Sequence, residues 1–371
     1  MTVEQAPADR RSRNAEDIRA RSRIRVAARL QHVGAQVAST SLQRGALILA
    51  FLALIACFSF LRPATFFTLA NLESTLGTQA AAALVALGVT IALLAGEYDL
   101  SVTATMGTSA TVVAFLTTNK HMPVLEAVGI VVVMSIVIGL VNAFFVVKVG
   151  VTSFITTLGM ATLVEGAATG LAGATTIGGV PTSLTNFFQA NLFGIQRAFF
   201  FMLVVAVAFF IVLQKMPLGR KLFFTGNART AAALAGVQVN RLRAGSLVGA
   251  SLLAGLSGIM LIGQIGAASP SVADPFLLPA YAAAFLGATA FTPGRFNVPG
   301  TLVAVYLLAV GTVGFQLLGF SFWVTNVFNG AILILAVSFA LLFSRRHRRT
   351  APVPIKDQQL PEGLGNEKGC P

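Results

Sequence analysis

Long apolar runs separated by short polar interruptions dominate the chain between residues 45 and 343. The runs are continuously apolar, not alternating, which favours helices over a barrel, and a helix satisfies its own backbone hydrogen bonds in lipid. A helix needs roughly 20 residues to cross the hydrocarbon layer. Ten runs approach that length, at about 45–61, 76–95, 101–118, 123–147, 152–170, 198–214, 244–267, 277–291, 299–318 and 322–343. The pattern predicts an all-α polytopic membrane protein with about ten transmembrane helices.

The interruptions carry the candidate chemistry, because unwound backbone at membrane depth is tolerated only where protein buries it or where it lines a cavity. The sharpest is Gly96-Glu97-Tyr98-Asp99-Leu100-Ser101. Two carboxylates so close together are costly near the membrane unless they are solvated or bonded. Asp99 or Ser101 can cap the following helix through a side-chain oxygen, and a capped helix start can also shape a pathway. A second island runs from Thr152 to Gly159 and contains Thr156 and Thr157, with Glu165 further along the same run. Ser and Thr in such helices bond back to the backbone or across to a neighbour. Glu165 is a functional candidate as an acid on a spanning helix, or it reaches water at the outer end. Gly166 and Gly170 have the spacing that lets helices approach closely.

Between Pro217 and Arg243 the chain is polar and basic. Asn227 is placed to cap an Ala-rich helix of about nine residues that stops at Gly236, and so short a helix is marginal alone in water. It must dock, either on the protein's own inner face or on a partner. The stretch from Phe285 to Gly300 gives another succession of apolar helix, polar break and apolar helix. It echoes the break at Asp99 and suggests duplicated halves in an inverted repeat.

Charge gives these helices a direction. Only 11% of the 371 residues are charged and 56% are hydrophobic, against roughly 25% charged in a soluble domain. Residues 1–44 and 344–371 hold 22 of the 39 charged side chains, so the centre lacks the polar groups to cover a soluble surface. The net charge of +13 therefore reads as orientation, not nucleic-acid binding. With both termini cytoplasmic, 23 of the 26 Lys and Arg lie inside and only Arg62, Lys120 and Arg197 outside, as cytoplasmic loops require. The chain divides into a basic cytoplasmic tail at 1–44, a transmembrane domain at 45–343 with a cytoplasmic segment at about 215–243, and a basic cytoplasmic tail at 344–371. Leu54-Ile55-Ala56-Cys57 matches a lipoprotein cleavage pattern, but the preceding 44 residues are too long for a signal peptide's basic region.

Chemistry on this chain is not indicated. It has no G-x-x-x-x-G-K-[ST] phosphate loop, no His-Glu-x-x-His and no G-x-S-x-G. Cys57 and Cys370 give neither a disulfide framework nor metal-ligand spacing.

Several motifs recur in one family's order: Gly88-Val89-Thr90, Gly96 to Ser101, Gly139-Leu140-Val141-Asn142, Ser153 to Gly159, Gly219-Arg220, Gly226-Asn227, Ala231-Ala232 and Gly236. Over about residues 65–343 the chain resembles the membrane permease of ribose- and xylose-type (monosaccharide) ATP-binding-cassette importers. The resemblance implies a subunit of the bacterial plasma membrane that is not an enzyme and carries no cofactor, with ATP and Mg on a separate cytoplasmic ATPase. It also implies an extracytoplasmic sugar-binding protein and a permease dimer, of identical or homologous chains. Gly219, Arg220, Gly226, Asn227, Ala231, Ala232 and Gly236 match the segment that rests on the ATPase, so Ala232→Arg is expected to uncouple ATP hydrolysis and leave the fold intact. Asp99, Ser101, Asn142, Thr156, Thr157, Gly159 and Glu165 become the candidates for the helix break and pathway. Thr103, where the family carries Gly, and Thr225-Gly226, where it carries a Gly pair, depart from the pattern.

A neutral sugar needs hydrogen-bonding groups and not fixed charge, which the scarcity of charge in the spans fits. The rival readings are an ion-coupled secondary transporter, which wants a chain of acids or His within the spans, and a related permease for branched-chain amino acids.

Overall fold

The structure, a computed structural model, describes residues 45, 47–173, 175–291 and 294–349, with side chains as far as residue 339. The N-terminal tail, the C-terminal tail beyond residue 349 and the Thr292-Pro293 pair lie outside the described residues.

Apolar helices occupy all the predicted runs. In chain order they are α1 (Leu47–Leu61), α2 (Leu69–Thr78), α3 (Ala80–Leu94), α4 (Ser101–Ala114), α5 (Val124–Ala143), α6 (Ser153–Ala172), α7 (Thr182–Gln189) and α8 (Arg197–Phe210). There follow α9 (Pro217–Asn227), α10 (Arg229–Leu234), α11 (Val239–Ile265), α12 (Leu277–Gly287), α13 (Val298–Leu317) and α14 (Phe322–Arg349). π-helical turns extend α4, α5 and α8. The described strands form one hairpin, β1 (Asn191–Leu192) with β2 (Ile195–Gln196), on the loop before α8. The protein is all-α in class and polytopic.

By length and composition six helices are able to cross a membrane: Val124–Val149, Ser153–Ala172, Arg197–Lys215, Val239–Ile265, Val298–Leu317 and Phe322–Phe339. A seventh arises if α2 and α3, bent by 43° at Gln79, count as one. Of the remaining predicted runs, α1 and α12 are shorter elements, and α4 with its π-helical turn reaches Asn119 but is rich in Thr and Ser. At about 1.5 Å per residue, the 11 residues of α12 rise about 16 Å, half of a hydrocarbon layer of about 30 Å. Hydropathy alone could not show this, because a short helix wrapped in protein reads like a lipid-facing one. All fourteen residues of α4 are buried, so its many Thr and Ser meet other helices and not lipid.

The core gathers on α11, which packs against α3, α4 and α5. α12 lies against α13, α14 and α3, and α4 against α6. α6 is open on one side, with Phe154, Ile155, Leu158 and Leu163 exposed. Such an apolar exterior suits lipid as solvent.

Candidate functional site

The site begins where α3 stops. Gly96 takes φ +77° and closes the helix, with its amide bonded to Leu93 O and the Glu97 amide to Ala92 O. These are the paired bonds of a Schellman cap. The closure turns Glu97 inward, so that its side chain is only 2% exposed. An acid at a helix C-terminus is disfavoured by the helix dipole, and a buried one needs a counter-charge. Two arginines supply it: Arg229, the first residue of α10, donates to Glu97 Oε1 at 2.7 Å and to Gly96 O at 2.8 Å, and Arg243 of α11 donates to the same Oε1. Gly96 and Gly226 make the approach feasible. A Cβ at Gly96 would sit 3.1 Å from Gly226 Cα, and one at Gly226 would collide with Leu94 O.

Two residues further on, Asp99 is 0% exposed. Its Oδ1 accepts the Ser101 amide at 2.9 Å and the Ser101 hydroxyl at 2.6 Å, so it caps the start of α4. Asn142 of α5 donates to Ser101 Oγ at 2.8 Å. On α6, Ser153 Oγ accepts the Tyr98 amide and Thr157 Oγ1 accepts the Leu100 amide, each at 3.0 Å. The break is thus tied to α4, α5 and α6 through uncharged groups. Asp99 Oδ2 and Asn142 Oδ1 are buried and without a bonding partner, so the network retains two acceptors for further donors.

Of the pathway candidates, Asp99, Ser101, Asn142 and Thr157 come together. Thr156 lies beside them on α6 with its hydroxyl buried and unpaired. Gly159 and Glu165 do not join. Gly159 is exposed, and Glu165 is half-buried near the outer part of α6 with only its carbonyl engaged, by Thr169. Nothing lies within 4 Å of a Cβ built at Gly159, Gly166 or Gly170, so the small-residue spacing on α6 packs against no helix among the described residues.

The basic segment that follows α8 folds as α9 and α10. Gly219 is buried against the Leu213 backbone, where no Cβ fits, and Arg220 faces outward. Asn227 does not cap the Ala-rich helix. It ends α9 and donates to Phe223 O at 2.9 Å, while Ala228 stands at the N-cap of α10 with no side-chain bond. Gly236, φ +78°, ends α10 by the same cap that Gly96 makes on α3. Ala232 is 0% exposed and faces the protein's interior. The outward face carries Ala231, Ala233 and Leu234, the last 85% exposed. The second break, before α13, also meets this segment: Asn297 caps α13 through Gly300, and the Arg295 guanidinium lies 4.7 Å above the Phe223 ring of α9.

A family model described as branched-chain amino acid transport system / permease component matches residues 71–337. The chain belongs to this permease family. Similar proteins include the autoinducer 2 import system permease protein LsrD of Salmonella typhimurium, 28% identical over 271 residues, which cover 71% of this chain and 81% of that one. LsrD of Escherichia coli is 28% identical over 260 residues (68% and 78%), and LsrD of Yersinia pestis 28% over 270 (71% and 81%). No solved structure matches the chain. The permease is a transport subunit and a multi-pass protein of the inner membrane. The sequence reading missed Arg229, Arg243 and Leu234 of the permease. Arg229 and Arg243 stand 132 and 146 positions from Glu97, a separation that no local pattern encodes. The one available signal was the lone Glu97 itself, a buried-looking acid in need of a cation.

Proposed function

We propose that this permease forms the path for a neutral sugar, a monosaccharide-sized solute, in an ATP-binding-cassette importer. A separate ATPase hydrolyses ATP beneath it, and an extracytoplasmic binding protein delivers cargo. The observation that carries the reading is the Glu97 clamp, which links the cytoplasmic segment to the polar break that organises α4, α5 and α6. Glu97 is buried and would lose a counter-charge if Arg229 withdrew, so displacement of α10 by the ATPase pulls on Glu97. Asp99, two residues on, then shifts relative to Asn142 and Thr157, and the helices exchange one packing for another. The α10 tip at Leu234 is the surface that meets the ATPase.

A ten-span, inverted-repeat organisation also belongs to this proposal, with both tails cytoplasmic and α1, α4 and α12 counted as spans. It is supported by the two polar breaks, at Glu97 and Arg295, which both touch the α9–α10 segment. Pairing with a second permease, identical or homologous, is supported by the uncovered glycine face of α6. The names of the LsrD relatives support a sugar-like cargo, while the family description favours branched-chain amino acids as the second reading. The test is uptake by proteoliposomes holding the permease, its ATPase and its binding protein. ATP-dependent uptake of radiolabelled D-ribose or D-xylose is expected. ATP-dependent uptake of leucine with no sugar uptake would establish the second reading, and uptake driven by an ion gradient without ATP would overturn both.

A further inference from the structure

Buried polar groups in folded proteins nearly always find a partner, and at the outer end of this bundle Asn329 Oδ1 does not. Gln79 at the bend before α3, Thr312 of α13, and Thr325, Asn326 and Asn329 of α14 converge on one pocket of 170 Å³. None of their side chains is bonded to another group among the described residues. Thr325 is only 5% exposed and still has no partner, and Asn329 Oδ1 is buried and unpaired. The lining contains no charged side chain, and Phe276 and Phe322 add aromatic surface. Asp274 sits near the rim without lining the pocket, its carboxyl held above the usual range by partial burial.

We propose that this pocket is a binding site for a single uncharged polyhydroxylated ring. Amides and hydroxyls both donate and accept, as sugar hydroxyls do, and aromatic surface suits the apolar C–H face of such a ring. The pocket's 170 Å³ is small, which suits one ring. The other cavities have different chemistry. A 650 Å³ groove between α1, α2 and α13 is lined mostly by apolar side chains, and a 790 Å³ groove beside α10 is lined by Arg229, Arg241 and Arg243.

Position gives the site a role. Gln79 stands at one end of α3 and the Glu97 clamp at the other, about 22 Å apart for 15 residues at about 1.5 Å each. One buried helix therefore joins the outer pocket to the cytoplasmic clamp. Cargo released from a binding protein meets the outer pocket before it reaches the break at Asp99.

The inference rests on the sugar reading, and its test separates the two. The full-length permease in nanodiscs is titrated with radiolabelled D-ribose and D-xylose, as wild type and as Thr325→Val and Asn329→Leu, which keep volume and remove hydrogen bonds. Saturable binding by the wild type, weakened about tenfold in each variant with an unchanged thermal midpoint, is expected. Asn326→Ala, at an exposed position, gives the same readout if either buried variant fails to fold. Unchanged binding in the folded variants would overturn the site, as would a wild type that binds neither sugar. If the assembled importer still takes up sugar in those cases, only the site falls. If it takes up no sugar at all, the sugar reading falls with it.

Discussion

Glu97 and Arg229 meet at 2.7 Å, although 131 residues separate them in the chain, and the carboxylate is buried where the guanidinium is half exposed. Arg243 holds the same carboxylate oxygen from α11. Glu97→Gln keeps the shape and removes the charge. It is expected to lower substrate-stimulated ATP hydrolysis of the reconstituted importer at least tenfold, with the permease still inserted and folded. Wild-type stimulation in that variant would show that the clamp transmits nothing.

Gly226 tests the same junction by size. A methyl group there meets Leu94 O and the Gly96 amide, and overpacking of this kind costs about 1–3 kcal/mol. Gly226→Ala is expected to lower the thermal midpoint of the purified permease by several degrees. An unchanged midpoint would mean that α9 can move away from the α3–α4 break without penalty.

Ala232 and Leu234 should part company on substitution. Ala232→Arg places a charged side chain in a space that is 0% exposed, so the expected outcome is poor insertion or a destabilised protein, not clean uncoupling. Leu234→Glu alters an 85% exposed tip and should leave thermal stability unchanged while abolishing ATPase stimulation. Size-exclusion and ATPase measurements on both variants decide the matter. Full stimulation in Leu234→Glu would remove that tip from the contact.

Asp99 is both the cap of α4 and the centre of the network. Asp99→Ala removes two bonds to Ser101, and loss of a helix cap costs about 0.5–2 kcal/mol. Asn142→Leu leaves the cap but removes the cross-link to α5. A lower thermal midpoint in the first variant, and reduced uptake with little loss of stability in the second, are expected. Equal uptake by Asn142→Leu and wild type would confine the network to a structural role.

The sequence by itself determined that lipid is the solvent and that the protein is helical. Those properties follow from local composition: long continuously apolar runs with little charge between them. It also located both polar breaks and the α9–α10 segment, since Gly, Asn and clustered carboxylates interrupt an apolar pattern visibly. Helix lengths were less legible, because whether α4 and α12 face lipid or protein depends on neighbours distant in the chain. The clamp was invisible for the same reason. Glu97 is paired only because α10 and α11 return to the end of α3, and Ala232 is buried only because α10 lies down on that junction. The outer pocket likewise exists only where the ends of α3, α12, α13 and α14 converge. Tertiary structure decided these points because charge pairing and burial depend on separation in space, which the order of residues along the chain does not display.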